Sequence, residues 1–398
     1  MNWILQIQRR AMSPKAPVSG GRCEDFEKRI SFDDLVFIPA QLAKRPVDYF
    51  REPIETKTVI GSRAKRPLVL SMPIMAAAMS FGALSKEAKI AVAKATAHVG
   101  TSDNTGEGGM LPEERKAAKL LIAQYSTARF GVDNEYLMAA DAIEVKIGQG
   151  AKPGQGGLLQ KEKVTAEIMK VRKIPKAEDL HSPPAHPDIH SITDLRKKVD
   201  WLRAVTGGKP VIIKLGAGDV RKDVEIAVRA NPDAIAIDGM AGGTGAAPEI
   251  MLDCFGVPIL PAIVEARRTL DRMRAKQELL VGGGLNTGMD FAKALALGAD
   301  AVFVGFPLMI AMGCQYCRQC YLGKCPKGIA SQTPIYRRNL HINNASAAIA
   351  NYFRSCNEEI KMAAAATGKR SVHGLEPGDL RSLDQTITKM TGVKLAGT

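Results

Sequence analysis

LLVGGGLNTGMDFAKALALGADAVFVGF, residues 279–306, decides the fold. It opens with an apolar run, Leu279–Gly283, that ends in glycines. A helical pattern follows over Gly288–Leu297, and a second apolar run, Ala301–Gly305, closes it. Two such runs joined by one short helix read as a parallel βαβ unit, because strands buried on both faces lose the polar alternation of a half-exposed sheet. The same rhythm extends backward. Apolar runs recur at Ile74–Met79, His98–Asp103, Ile122–Thr127, Ile143–Gln149, Val211–Leu215 and Ala234–Asp238. Helix patterns separate them at Lys86–Ala97, Pro112–Leu121, Asp219–Arg229 and Ala262–Met273. Eight strands within roughly 240 residues predict an α/β protein, a (β/α)8 barrel of the TIM type. A doubly wound open sheet is the competing arrangement, but no GxGxxG turn follows the first strand.

Outside that rhythm the chain divides into three parts. Residues 1–66 are rich in Arg, Lys and Pro and read as an arm or docking segment, 67–335 as the barrel, and 336–398 as a helical extension. The connection after strand four, Gly148–Ser191, is far longer than a βα loop needs. It leaves from the face where such barrels keep their active sites.

Composition narrows the function. Of the 398 residues 45% are hydrophobic and 37 are glycine, which suits a globular protein with many tight turns. Aromatics make up 5%, and Lys and Arg are interspersed with acids, so the net charge of +14 does not read as a nucleic-acid footprint. It predicts a basic surface suited to an acidic partner or small acidic substrates. The uncharged run Ala301–Tyr316 falls short of the ~18 residues that a membrane span needs. The opening MNWILQIQRRAMSPK carries charge too early for a signal peptide. A cytoplasmic protein is expected, in a compartment that keeps thiols reduced.

Directly after strand eight comes GFPLMIAMGCQYCRQCYLGKCPKGIAS, residues 305–331. It holds Cys314, Cys317, Cys320 and Cys325, four of the seven cysteines in the chain. Thiolates so spaced suit one soft metal centre, and a proline directly after the last, Pro326, is a common neighbour of iron–sulfur ligands. A structural zinc site is the alternative, although zinc motifs usually set two C-x-x-C knuckles further apart. The reading is an iron–sulfur cluster.

Glycines at the strand ends point to a second ligand. Strand seven ends in Gly282-Gly283-Gly284 and strand eight in Gly305-Phe306, the positions from which barrel enzymes build phosphate cradles. Strand six ends in Asp238, and Gly242-Gly243-Thr244-Gly245 follows as a floor poor in side chains, open to a planar ligand. Lys214 ends strand five. It is either the partner of Asp238 or a cation beside the edge of a reduced flavin, where negative charge develops.

Several stretches together resemble the flavin-binding synthase domain of glutamate synthase. They are Ala78-Met79-Ser80-Phe81-Gly82, Asn104 through Gly109, Arg129-Phe130-Gly131, Gln149 through Gly154, Ser182-Pro183-Pro184, Gly242 through Gly245, and Cys314 through Pro326. The resemblance covers about residues 67 to 335. It implies FMN, a 3Fe–4S cluster on Cys314, Cys320 and Cys325, and reduction of 2-iminoglutarate, formed from 2-oxoglutarate and ammonia, to L-glutamate. Cys317 departs from the family spacing, and as a fourth ligand it would make the cluster 4Fe–4S. By the same resemblance Gln149 and Lys152 contact the substrate carboxylates, and Glu107 is the acid–base group where the imine forms. Ala78, Met79 and Ser80 join Lys214 and the glycines as flavin contacts. Arg129 pairs with a carboxylate of the substrate or of the protein. His181, His186 and His190 read as loop scaffolding rather than as metal ligands.

The family's amidotransferase begins with an exposed cysteine, whereas Asn2 follows Met1 here and no such domain precedes the barrel. Its β-helical domain does not follow. A split enzyme is therefore expected: a hetero-oligomer with a glutamine amidotransferase subunit, a β-helix-type subunit, and a ferredoxin or NAD(P)H-oxidising electron donor. The same barrel would also serve N-methylglutamate synthesis from methylamine and glutamate, or a non-catalytic electron-transfer subunit.

Overall fold

Burial on both faces is what makes the eight central strands nearly continuous in apolar residues, and the computed structural model, which describes residues 3–13, 16–23 and 30–398, shows what covers each face. The strands are β1 (Ile74–Ala76), β2 (Ser102–Asn104), β3 (Leu120–Tyr125), β4 (Ala142–Lys146), β5 (Val211–Gly216), β6 (Ala234–Asp238), β7 (Glu278–Gly282) and β8 (Ala301–Val304). All pair in parallel, in the order β1-β8-β7-β6-β5-β4-β3-β2. The two ends, β1 and β2, lie against each other, and the Thr101 hydroxyl donates to the Ile74 carbonyl across that seam. The result is a nearly closed barrel.

Outer-face side chains pack against a ring of helices: α1 (Lys86–Val99), α2 (Pro112–Ala117), α3 (Asn134–Ala139), α4 (Ile192–Val205), α5 (Val220–Arg229), α6 (Ile259–Arg272) and α7 (Gly288–Ala296). The gap between α7 and α1 is filled by α8 (Ile342–Ala366), which packs on both and buries Ile349, Phe353 and Ile360. Between β8 and α8 the chain makes a short helix, Phe306–Ala311, and then the cysteine loop.

Inner-face side chains follow the period of two that a strand imposes. Met75, Ile122, Ala142, Ile212, Ala234, Leu280 and Ala301 fill the lower barrel. A hairpin from the N-terminal arm, Thr58–Ile60 with Leu68–Leu70, plugs that end with Ile60, Leu68 and Leu70. Glu278, opening β7, accepts from the Gly61 and Ser62 amides at 2.9 and 3.1 Å and pins the hairpin turn. Further up the same inner rows the residues become Gln124, Glu144, Lys214 and Asp238, all buried. The barrel is thus oily below and charged above.

Element ends shift by a few residues from the sequence reading, and two of the shifts have a clear physical cause. The apolar run His98–Asp103 is split: α1 continues through Val99, Gly100 ends it in the left-handed conformation at φ 76°, and β2 starts at Ser102. Only glycine takes that cap without a steric cost. The helix expected over Pro112–Leu121 stops at Ala117, because Leu120 and Leu121 already belong to β3.

Behind β2 lies a wholly buried charge cluster. Lys89 Nζ is 2.8 Å from Glu114 Oε1 and 3.9 Å from Asp103 Oδ1, and it donates to the Asn104 carbonyl at 2.7 Å. Burial pushes the Glu114 carboxyl up to about 8, with Lys89 opposing the shift and Asp103 adding to it. Lys89 thereby anchors the turn Asn104–Gly109, which carries Glu107. Among the described residues no helix is long and apolar enough to cross a membrane.

If α8 is integral to the barrel wall, Phe353→Ala should cost about 3–5 kcal/mol, as for other buried aromatic truncations. Urea denaturation measures this, and a loss below about 1 kcal/mol would show that α8 is dispensable to the core.

Candidate active site

The charged upper layer opens into one cavity at the C-terminal ends of the strands. A buried charge is tolerated where a counter-charge stands beside it. Lys214 Nζ lies 3.5 Å from Asp238 Oδ2 and 4.7 Å from the centre of the Phe303 ring. Burial opposes its charge most strongly, but Asp238 and Glu144 outweigh burial, and its pKa is raised. Glu144 in turn accepts from Gln124 Nε2 at 2.6 Å. The Lys214–Asp238 ion pair is present, and Lys214 still faces the cavity.

Lys146, at the end of β4, reaches Glu107 Oε2 at 2.9 Å, and the Ser182 hydroxyl donates to the same oxygen at 3.2 Å. Burial would raise the Glu107 pKa, but Lys146, Lys152 and Arg172 together hold it below the ordinary carboxylate value. Lys152 is buried and donates to the Ala246 carbonyl at 2.8 Å. Burial lowers its pKa to about 8, with Glu107 pulling it up and Lys146 pushing it down.

The long connection after β4 is not a structureless loop. Leu158–Leu159 pairs with Leu180–His181, a helix forms over Ala166–Arg172, and Leu159, Val164, Ile168 and Leu180 pack with Phe81 and Leu111 in a small core of their own. This unit carries Gln149 and Lys152 into the cavity and brings Arg172, behind the lining, within electrostatic reach of Glu107. Arg172 Nη2 donates to the Phe81 carbonyl at 2.9 Å, while its buried Nε has no hydrogen-bond partner. Glu107 partly offsets the burial that lowers its pKa to about 10. Nothing in its local sequence, MKVRK, marks Arg172 as a site residue. Gln124, Glu144 and Lys146 were also missed, although the period of two from Ile122 and Ala142 points to them.

Glycines supply the floor. At Gly243, Gly245 and Gly305 an added Cβ would come no nearer than 3.6, 3.7 and 3.4 Å to any protein atom. Protein packing therefore does not demand glycine there, and the space lies on the cavity side, the signature of a cradle for a bound group. Gly283 differs: its φ of 87° and a Cβ only 2.4 Å from the Gly239 carbonyl oxygen make it a requirement of the turn. Ala78, Met79 and Ser80 form the wall after β1. An added Cβ at Gly106 would stand 2.4 Å from the Ser80 amide nitrogen, so this glycine lets the Glu107 turn close against that wall.

Cys314, Cys317, Cys320 and Cys325 line the same cavity, and none is in a disulfide. Burial raises the Cys320 pKa to about 11; Lys163 opposes, and the other three thiols raise it further, which shows how near they stand to one another. Lys163 is buried and bridges the walls, donating to the Ala83 carbonyl at 3.1 Å and the Cys320 carbonyl at 3.2 Å. Tyr316 and Arg318, either side of Cys317, both hold positive φ (54° and 58°), a cost that marks a loop held for its shape. Among the described residues no three His, Cys, Asp or Glu side chains converge on a single metal ion. Ligands of a cluster each bind a separate iron and need no such convergence. An all-thiol set on one wall has the donor chemistry of a soft metal centre, and an iron–sulfur cluster fits it.

A roof crosses the cavity. Val18–Gly21 pairs antiparallel with Thr244–Pro248 on one side. On the other, Gly20 N donates to the Arg318 carbonyl at 3.1 Å and Arg318 Nε returns to the Gly20 carbonyl at 3.0 Å. Glu107, Gln149, Lys152, the flavin candidates and the four cysteines all line this one cavity. Arg129 does not. It stacks on Tyr125 and binds Asp188 and His186, a structural cluster. His186 Nε2 also contacts the Lys146 carbonyl at 2.8 Å, and its ring stacks on Tyr125, so it scaffolds the loop.

A closed parallel barrel with a charged cavity at its C-terminal face defines the class as an α/β-barrel enzyme. Solved structures of that fold align with the chain: a mandelate oxidase mutant with (S)-mandelic acid, at TM-score 0.58 and 19% identity over 91% of each chain, and a lactate oxidase of Pediococcus acidilactici, at TM-score 0.59 and 15% identity over 92% of this chain and 89% of that one. The model of the conserved region in glutamate synthase matches residues 22–370. A glutamate synthase large subunit-like protein of Rhizobium meliloti is 40% identical over 99% of this chain and 93% of its own length. An archaeal glutamate synthase (NADPH) of Methanocaldococcus jannaschii is 38% identical over 93% and 79%. One from Archaeoglobus fulgidus is 39% identical over 100% and 84%. The chain belongs to the glutamate synthase family and is an enzyme of that family.

Burial first, and the Arg129 guanidinium second, lower the His186 pKa to about 4. A histidine depressed below its unfolded value of about 6.5 stabilises the fold above that pH and loses the contribution as pH falls toward 4. The urea midpoint of the wild type should therefore fall more between pH 7 and 5 than that of His186→Asn; parallel declines would contradict a neutral, buried ring.

Proposed function

We propose that this chain reduces 2-iminoglutarate to L-glutamate with FMN and an iron–sulfur cluster. The observation that carries the reading is a single cavity lined together by the glycine cradle, by Glu107, Gln149 and Lys152, and by the four cysteines, on a chain of this family. When bound, the flavin supplies the hydride and the cluster relays electrons.

The residues divide the remaining work. Ala78, Met79, Ser80, Gly242, Gly243, Thr244, Gly283, Gly284, Gly305 and Phe306 would hold the flavin. Lys214, steadied by Asp238, is the cation for its electron-rich edge. Lys152 and Gln149 hold the carboxylates of 2-oxoglutarate, and orientation of this kind supplies several kcal/mol of rate enhancement. Glu107, ionised and flanked by cations, would take a proton from incoming ammonium or from the carbinolamine and return one to the hydroxyl that leaves as water when the imine forms. Its lowered pKa means that it passes the proton on rather than storing it.

Cys314, Cys320 and Cys325 would ligate a 3Fe–4S cluster. Cys317 is the one of the four classed as exposed, which supports leaving it outside the ligand set. Ammonia would come from a glutamine amidotransferase subunit, and a β-helix-type subunit would complete a cytoplasmic hetero-oligomer. Electrons would come from an acidic ferredoxin or an NAD(P)H-oxidising subunit meeting the basic surface.

Anaerobic purification with iron and flavin quantified, followed by turnover with ammonium plus 2-oxoglutarate against methylamine plus glutamate, tests the proposal. Protein that contains flavin and iron and prefers ammonium supports it. Absence of iron would sink the cluster, and a preference for methylamine would move the chain to N-methylglutamate synthesis. Cys317→Ser should keep its iron, whereas Cys320→Ser should lose it. With Lys152 as a carboxylate ligand, kcat/KM for 2-oxoglutarate should decline above about pH 8, as its proton leaves. Lys152→Met should lower kcat/KM by about 10- to 100-fold and abolish that alkaline limb.

A further inference from the structure

The turns after β7 and β8 are where a barrel of this kind receives a phosphate, yet the start of α7 is already occupied. The Asp290 carboxylate accepts from the Asn286 amide at 2.8 Å and the Thr287 amide at 3.2 Å. An anion arriving beside Gly283 and Gly284 meets those amides spent, and a carboxylate close by. Lys293 already offsets part of that carboxylate's charge, so an anion at these turns calls for a cation of its own.

Arg22 stands at this end of the cavity. Its Nη1 donates to Asn286 Oδ1 at 2.9 Å, and its guanidinium lies 5.4 Å from the centre of the Phe306 ring, so it spans the turns after β7 and β8. Asn286 is itself held, its side-chain amide donating to the Gly284 carbonyl at 3.3 Å. Tyr316 closes the other side, its ring edge-on to Phe306 and its hydroxyl donating to the Arg22 carbonyl at 3.4 Å. Arg22 and Gly21 line the same cavity as Gly283, Gly284 and Gly305.

The segment delivering Arg22 is built to cross here. Gly20 passes where an added Cβ would stand 3.0 Å from Cys320 Cβ and 3.1 Å from the Gly245 carbonyl oxygen, and Gly21 turns at φ 101°. Larger residues would not let the strand run between the glycine floor and the cysteine loop while keeping both its pairings.

We propose that the strand Val18–Arg22 is part of the cofactor site and that Arg22 binds the flavin phosphate, an inference that rests on the FMN reading above. A guanidinium is matched to a phosphate by geometry as well as charge, since its fork presents parallel donors to two oxygens. The arm is thus a working wall of the site as well as a cover for the barrel.

FMN and riboflavin differ only in the phosphate, so the pair isolates this contact. Deflavinated full-length protein is titrated with each, and the ratio of the two Kd values is compared between the wild type, Arg22→Gln and Arg22→Lys. The expected result is a rise in the FMN Kd of about tenfold or more in Arg22→Gln, with riboflavin changed by less than about twofold and Arg22→Lys lying between. An unchanged ratio, whether both flavins weaken together or neither does, would overturn the phosphate role, the first outcome leaving Arg22 a purely structural tie. Because both flavins share the ring site, partial misfolding lowers both affinities and leaves the ratio readable. A wild-type protein that binds neither flavin would fail the cofactor reading itself, and this inference with it.

Discussion

Charge buried in this nearly closed barrel and its wall has to be answered by a counter-charge close by, and that requirement governs this protein. Lys214 is answered by Asp238, Lys146 by Glu107, and Lys89 by Glu114 and Asp103. Each pair ties together parts of the chain distant in sequence: β5 to β6, β4 to the turn after β2, and α1 to α2 and β2. Taking either partner from such a pair leaves an uncompensated charge, which costs far more than the pair contributes. Below the charged layer the hairpin plugs the barrel, and a cluster of apolar inner residues lies between the two.

Much of the fold was legible because both faces of the central strands are buried. The eight apolar runs stand out for that reason, and each contains or overlaps its strand. The run at His98 misled because the end of a buried helix and the start of a buried strand look alike in composition; Gly100 was the punctuation between them. The wall role of α8 was not visible, since a helix that arrives after an insertion of some thirty residues carries no local mark of the gap it fills.

The site was legible in proportion to how local its signals are. Four cysteines in one loop, or three glycines at one strand end, announce themselves. Lys214 was readable because it interrupts an apolar strand. Arg22 was not, because it reaches the cavity only through a long return of the chain, at the end of the paired strand Val18–Gly21. The charged inner layer was intermediate. Gln124, Glu144 and Lys146 fall in step with apolar inner residues on their own strands, and the register of the neighbours shows which face they share.

The position of α8 has a consequence for how the molecule is made. Its neighbour α1 is complete about 250 residues before α8 begins, so the two helices meet only by closing a very long loop, late in synthesis. The cysteine loop leaves the ribosome ahead of α8, which means those thiols are fully synthesised before the last stave that seals the cask behind them.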